Sequence, residues 1–172
     1  MIPKIVFCTG GILLLLAAGA PAQTNAVSAG PSIHEYLSSE GFDEEAANSF
    51  GADKIGMRKY VIAFLKRGPN RPTDPKQAEE LQAAHLGNIQ RMAAQGKLVL
   101  AGPFMDDGEL RGLYIFCVSS LAEAEALVRT DPAVNSGSLV MELKEWYGSA
   151  ALMAVNAIHK RLAPARANEN NR

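Results

Sequence analysis

His85 is the residue whose type and position best suit proton-transfer chemistry. The chain has three histidines, and His34 and His159 read as surface residues. At 100° per residue, His85 shares one helical stripe with Leu81 and Ile89, so it points with the apolar face of its helix. An imidazole there can act as a general acid or base near neutral pH. The alternative is a core histidine that bonds a backbone carbonyl.

Asp131 is the strongest candidate partner for His85. It follows the second predicted helix and precedes Pro132, and both helices are expected on the same face of the sheet. A carboxylate bonded to one imidazole nitrogen fixes the tautomer and raises the basicity of the other nitrogen. The alternative is a turn residue that ends the helix, because Asp-Pro commonly opens turns.

Four strands and two helices must position this pair. Residues 59–66 are apolar on both alternations, as in a strand covered on both faces. Asp74 as N-cap and Pro75 at the first helical position open a helix that Gly96 closes. Three further strands are predicted at 98–101, 111–118 and 138–146. A capping box at Ser120 begins a second helix, which runs through Arg129. The order β-α-β-β-α-β predicts an α+β, ferredoxin-like fold with a four-stranded antiparallel sheet.

The predicted sheet has a second apolar face that its own two helices cannot cover. Both helices of this fold lie on one face, yet the strands are apolar on both sides. A second copy of the sheet would cover the free face, which predicts a symmetric homodimer. The terminal segments are the competing cover.

The N-terminal sequence predicts a signal peptide for export. Residues 1–22 carry one lysine, an apolar run and small residues fitting cleavage before Gln23. This predicts a periplasmic or secreted protein with no membrane span after cleavage, and an uncleaved anchor is the alternative. We expect a linker and short helical extension at 23–56, including helical patterns at 32–38 and 43–50. The core domain follows at 57–147, and a C-terminal helix and disordered tail at 148–172.

Charge, cysteine content and motif spacing argue against several kinds of protein: nucleic-acid binders, disulfide-bonded proteins and metal- or phosphate-binding proteins. There are 17 Lys+Arg against 18 Asp+Glu, interspersed rather than clustered, so no nucleic-acid footprint is present. Cys8 lies in the signal segment, which leaves Cys117 without an intrachain partner. Cys117 lies in an apolar stretch and is expected to be a buried hydrophobe. No spacing typical of a metal site or phosphate-binding loop occurs, so we expect neither a metal nor a cofactor.

Several short motifs, taken in order, resemble the YCII-related (YciI-like) family of the dimeric α/β barrel superfamily. They are KYVIAFLK, AAHLGNI, LVLAGPF, RGLYIFCV and RTDPAV. The resemblance covers residues 58–146 and implies an active site centred on His85 and Asp131. It also implies proton transfer on a small cyclic substrate, because the superfamily includes lactone isomerases and a dehydrochlorinase branch.

Three functions remain open. The first is a small-molecule enzyme of isomerase, lyase or hydrolase type, in which His85 acts and Asp131 orients it. Gly102, Pro103 and Arg111 are then the candidate substrate-binding residues, although Arg111 also suits a solvated charge at a strand start. The second is a non-catalytic small-ligand module, haem being one candidate ligand. The third is an envelope interaction protein that uses the terminal segments.

Overall fold

A computed structural model describes residues 41–162, and the predicted ferredoxin-like order is confirmed within them. One further short helix lies between the second core helix and the last strand. The elements in chain order are α1 (Glu44–Phe50), β1 (Met57–Arg67), α2 (Pro75–Ala94), β2 (Leu98–Pro103), β3 (Leu110–Phe116), α3 (Leu121–Val128), α4 (Pro132–Asn135), β4 (Leu139–Ser149), a 3₁₀ helix (Ala150–Ala154) and α5 (Val155–Leu162).

The four strands form one antiparallel sheet in the order β2-β3-β1-β4. β1 pairs with β4 along its whole length, from Met57 opposite Ser149 to Arg67 opposite Leu139. On its other side β1 pairs with β3, where Ala63 lies opposite Tyr114. The two longest strands are therefore neighbours, and the shortest, β2, forms one edge.

Local signals in the sequence set the bounds of α2. The Asp74 side chain accepts a hydrogen bond from the Gln77 N–H at 3.0 Å, and Pro75 occupies the first turn, where its missing N–H costs nothing. Gly96 follows the helix with φ +69°, a left-handed conformation that glycine adopts without strain. The predicted start and end of this helix are correct.

The helices cover one face of the sheet and enclose the main core. Met92 of α2 and Ala124 of α3 are fully buried. They pack on inward-facing side chains of the strands: Val61, Ala63, Leu65, Leu98, Tyr114 and Phe116. Burial of this apolar surface is the main stabilising contribution to the domain.

The opposite face of the sheet is covered only in part. Its buried residues are Tyr60, Val99 and Ile115, and Leu152 and Met153 from the 3₁₀ helix pack against them. The C-terminal segment, which was the competing cover, therefore occupies part of this face. The homodimer stays a prediction.

Other sequence predictions have mixed outcomes. Asp131 does not simply end the second helix, because that helix ends at Val128 and Asp131 opens the four-residue α4. The first turns of the expected C-terminal helix are 3₁₀. His159 is exposed as expected, whereas His34, the 32–38 helical pattern and the signal segment lie outside the described residues. No helix within 41–162 is long and apolar enough to cross a membrane.

Candidate active site

His85 and Asp131 meet between α2 and the start of α4. The Nδ1 atom of His85 lies 2.9 Å from both carboxylate oxygens of Asp131. Asp131 is completely buried and His85 is 8% exposed. The sequence prediction that residues 46 positions apart converge is therefore correct in its geometry, and the pair has the arrangement that orients an imidazole.

The backbone of α4 fixes the Asp131 carboxylate. Asp131 is the N-cap of this helix, and its Oδ1 accepts a hydrogen bond from the Ala133 N–H at 2.9 Å. Pro132 occupies the first helical position, where its fixed φ suits a helix start. The carboxylate therefore has two roles, because it caps the start of α4 and contacts His85.

Tyr114 is a third member of the site, and the sequence reasoning missed it. Its hydroxyl oxygen lies 3.3 Å from His85 Nε2 and 3.3 Å from Asp131 Oδ2. The rings of Tyr114 and His85 are stacked, with centroids 6.2 Å apart. One signal was available: a buried tyrosine hydroxyl usually finds a polar partner. Tyr114 belongs to a strand that is apolar on both alternations, so the pattern did not show which face it occupies.

Burial and the Asp131 charge keep the Tyr114 hydroxyl protonated. Loss of water around the 2% exposed ring raises the pKa of the phenol, and the nearby carboxylate raises it further. Tyr114 therefore acts as a neutral donor with one proton. That proton can go to either of two acceptors, His85 Nε2 or Asp131 Oδ2.

The proton positions follow from these contacts. A carboxylate accepts but does not donate, so Nδ1 carries a proton and donates a hydrogen bond to Asp131. When the ring is neutral, its lone pair is on Nε2 and faces the Tyr114 hydroxyl. If Nε2 takes up a proton, the Tyr114 hydroxyl can turn to Asp131 and leave Nε2–H free to donate.

A polar network lies behind the pair. Asn88, one turn after His85 on α2, is buried, and its side-chain oxygen accepts from Arg91 at 2.6 Å and from the Thr130 hydroxyl at 3.1 Å. Arg91 also donates to Thr130 at 2.8 Å. Because Thr130 precedes Asp131, this network ties α2 to the residue before the carboxylate.

His85 and Tyr114 line a cavity of about 460 Å³ between α2, the sheet and α4. Gly102, Pro103 and Arg111, the three predicted substrate-binding residues, line it too. Pro103 has no N–H, so it contributes surface rather than a hydrogen-bond donor.

Arg111 is not a freely solvated charge at the strand start. Its side chain is 24% exposed, and one guanidinium nitrogen donates to the backbone oxygens of Asp106 at 3.0 Å and Gly108 at 3.4 Å. The same nitrogen lies 3.6 Å from the Asp107 carboxylate. Arg111 is therefore held by its own loop.

A haem iron does not fit the histidine as it is placed. Nδ1 is bonded to Asp131, and Nε2 has the Tyr114 hydroxyl at 3.3 Å. Ligation through Nε2 would require the buried Tyr114 ring to move. Within residues 41–162, no group of three His, Cys, Asp or Glu residues is placed to hold a metal ion.

A family model shows the family of this chain, and two other comparisons give proteins that it is similar to. A family model described as the YCII-related domain matches residues 60–147, just over half of the chain. An uncharacterized protein of Bacillus subtilis (strain 168), YjpA, is 37% identical over 68 residues, which is 40% of this chain and 78% of YjpA. A solved structure of 5-chloro-2-hydroxyhydroquinone dehydrochlorinase (TftG) from Burkholderia phenoliruptrix AC1100, in complex with 2,5-dihydroxybenzoquinone, superposes with a TM-score of 0.39 and 21% identity, over 52% of this chain and 93% of that one.

Proposed function

The chain belongs to the YCII-related domain family, and we propose that it is a small-molecule enzyme in which His85 is the general acid/base and Asp131 orients it. The observation that carries this proposal is the buried 2.9 Å contact between the two side chains at the wall of a cavity. Such a pair is costly to bury without a purpose, since both groups lose hydration. The reaction class is isomerisation, elimination or hydrolysis.

In the resting site, Asp131 holds the proton of His85 on Nδ1, and Nε2 is the base. Nε2 removes a proton from an acidic C–H or O–H of the substrate or from a water molecule. The imidazolium that forms lies against the Asp131 carboxylate, which stabilises its charge. The Tyr114 hydroxyl then donates to Asp131 instead of Nε2, so the buried hydroxyl keeps a partner in both states.

The second half of the reaction returns the proton from Nε2. In an isomerisation it goes to another substrate atom, and in an elimination it goes to the leaving group. In a hydrolysis it goes to the departing oxygen. Positioned acid/base catalysis of this kind contributes about 10²- to 10⁴-fold in rate. Gly102, Pro103 and Arg111 are the proposed substrate-binding residues that complete the cavity wall.

Substitution of His85 by Asn tests the proposal. Asn retains hydrogen-bonding capacity but cannot exchange a proton, so kcat/KM for any activity found in a screen of small lactones and enols should fall at least about 100-fold. His159→Asn is the matched control, because His159 is exposed on α5 and should leave the rate unchanged. Undiminished kcat/KM in the His85 variant would remove the catalytic role.

A non-catalytic binding module is the second candidate, and one observation favours it. Both ring nitrogens of His85 already have protein partners, Asp131 and Tyr114, as in a histidine that only shapes a pocket. This candidate predicts saturable ligand binding without turnover. Because a haem iron does not fit His85 as placed, haem titration should give no Soret band in the protein-bound fraction.

We also propose that the protein is exported and forms homodimers. Support for export is the sequence pattern of residues 1–22. Support for a dimer is the incompletely covered sheet face, on which Val140 is 48% and Trp146 38% exposed. Cell fractionation with N-terminal sequencing tests the first claim, and light scattering during gel filtration tests the second. A protein that starts at Met1 in the cytoplasm, or that elutes as a monomer at micromolar concentration, would contradict them.

A further inference from the structure

Arg71 lies at the exposed rim of the cavity that His85 lines. The residues that line this cavity within the described range include two arginines, Arg71 and Arg111, and no carboxylate. The Asp131 charge lies behind His85 and is completely buried. The wall that a ligand meets is therefore cationic.

The two arginines differ in what they have left to offer a ligand. Arg111 donates to two backbone carbonyls of its own loop and lies near the Asp107 carboxylate. Arg71 makes no hydrogen bond or ion pair with any residue of the described chain. Its guanidinium, with five N–H donors in a planar fork, is therefore available to bind an anion in a bidentate manner.

Two backbone hydrogen bonds hold the loop just before Arg71, and a proline follows it. The Gly68 N–H donates to Ser138 O at 2.9 Å, and the Asn70 N–H donates to Gly137 O at 3.0 Å. Pro72 follows Arg71 directly, and a residue before proline is restricted to extended backbone. Because the backbone of Arg71 is already ordered, binding through it loses less conformational entropy than binding through a flexible loop.

The rest of the cavity wall is mainly apolar, with Leu65, Leu81, Ile89 and Leu139 among its side chains. We propose that the substrate has an apolar body and a carboxylate, and that Arg71 binds the carboxylate while the body extends to His85. This inference rests on the proposed function, because it names the substrate class of the same cavity. Arg71 is then a specificity-determining residue.

The axial offset between the Arg71 loop and His85 bears on the shape of the ligand. Arg71 precedes the N-cap Asp74, whereas His85 is the eleventh residue of the helix. At 1.5 Å per residue, His85 is about 15 Å along the axis from Pro75. This offset favours a ligand that carries its carboxylate on an arm rather than directly on the reacting carbon.

Equilibrium binding of a matched pair of probes tests the proposal without requiring turnover. The probes are 3-phenylpropionate and its neutral analogue 3-phenylpropanamide, and the measurement is isothermal titration calorimetry on the full chain. We expect the wild type to bind the carboxylate about tenfold more tightly than the amide, as for a charge-assisted bond at a partly exposed site. Arg71→Gln should abolish this preference, and Arg71→Lys should restore part of it.

Two control variants separate this inference from the proposed function. Lys76→Gln removes one positive charge from the first turns of α2 without altering the cavity wall, and the carboxylate preference should persist. His85→Asn should lose activity and keep the preference. Equal affinity for both probes, no measurable binding of the carboxylate by the wild type, or a preference that survives in Arg71→Gln would each overturn the role of Arg71, whether or not His85 proves catalytic.

Discussion

Replacing Asp131 tests the link between the fold and the site, because its carboxylate makes three contacts at once. It accepts hydrogen bonds from the Nδ1–H of His85, from the backbone N–H of Ala133 and, when that hydroxyl is turned towards it, from Tyr114. All of these contacts are buried. Two substitutions remove different parts of this set of hydrogen bonds. Asp131→Ala removes both acceptor oxygens, and Asp131→Asn keeps one oxygen and replaces the other with an NH₂ group.

The expected loss of stability follows from which groups are left without a partner. In Asp131→Ala the helix cap disappears, which costs about 1 kcal/mol, and the buried Nδ1–H of His85 loses its acceptor, which costs about 1–3 kcal/mol. Tyr114 can still donate to Nε2 at 3.3 Å and adds little. The free energy of unfolding should therefore fall by about 2–4 kcal/mol.

Asp131→Asn should separate stability from activity. Asn caps a helix about as well as Asp, so its oxygen can keep the Ala133 N–H, and the stability loss should stay near 1 kcal/mol. Its NH₂ group takes the place of Oδ2, 2.9 Å from Nδ1, and a donor there favours the tautomer with the imidazole proton on Nε2. Because Nε2 is the proposed base, kcat/KM should fall about 10²- to 10⁴-fold.

Urea unfolding, steady-state kinetics and ¹⁵N spectra of the histidine ring supply the three readouts. The matched control is Asp74→Asn, which removes a carboxylate from the exposed N-cap of α2 and should change stability by a few tenths of a kcal/mol and leave the rate unchanged. Wild-type kcat/KM in Asp131→Asn, or an Asp131→Ala protein as stable as the wild type, would refute the assigned contacts.

Three further predictions concern the surroundings of the site. Tyr114→Phe should lower the free energy of unfolding by about 1 kcal/mol at neutral pH. Because the pKa of the buried phenol is raised, wild-type stability should fall as pH rises above 10.0, the ordinary tyrosine value. Unfolding measured over a series of high pH values should show a smaller fall in the variant. The hydrogen bond from Lys66 lowers the pKa of Glu142 to about 2 from 4.5, so stability should drop as pH falls between these values, and Glu142→Gln should flatten that acid limb in the same assay. Gly68→Ala should destabilise the protein by about 2–3 kcal/mol, because the added Cβ would overlap the carbonyl oxygen of Gly137. Gly87→Ala, at an exposed position of α2, should instead stabilise it by about 0.5–1 kcal/mol, and thermal unfolding measures both changes.

The parts of the fold predicted correctly from the sequence are those that local chemistry determines. Asp74, Pro75 and Gly96 bound α2 through caps that involve only neighbouring residues. The approach of Asp131 to His85 needed one further step, the rule that both helices of a βαββαβ unit lie on the same sheet face. Tyr114 could not be found in this way, because a strand apolar on both alternations does not reveal which of its faces meets the helices.

The start of α4 at Asp131 was not predicted, and the physical cause also bears on function. Asp-Pro ends one helix and starts the next with the same residues, since Asp is a good N-cap and proline a good first residue. Four residues of α4 were too few to leave a periodic pattern. The pattern therefore supported a helix stop, and the start of α4 went unseen.

The cap gives Asp131 a position that side-chain packing alone would not. One oxygen is bonded to the backbone of α4 and the other faces Tyr114, so the carboxylate cannot rotate without breaking a buried hydrogen bond. A four-residue helix has little intrinsic stability, so α4 depends on its packing against α2, the helix that carries His85. The base and its orienting carboxylate are thus supported by the same helix contact. Their geometry should persist for as long as the domain is folded, because neither group can leave its place without opening the core between α2 and α4.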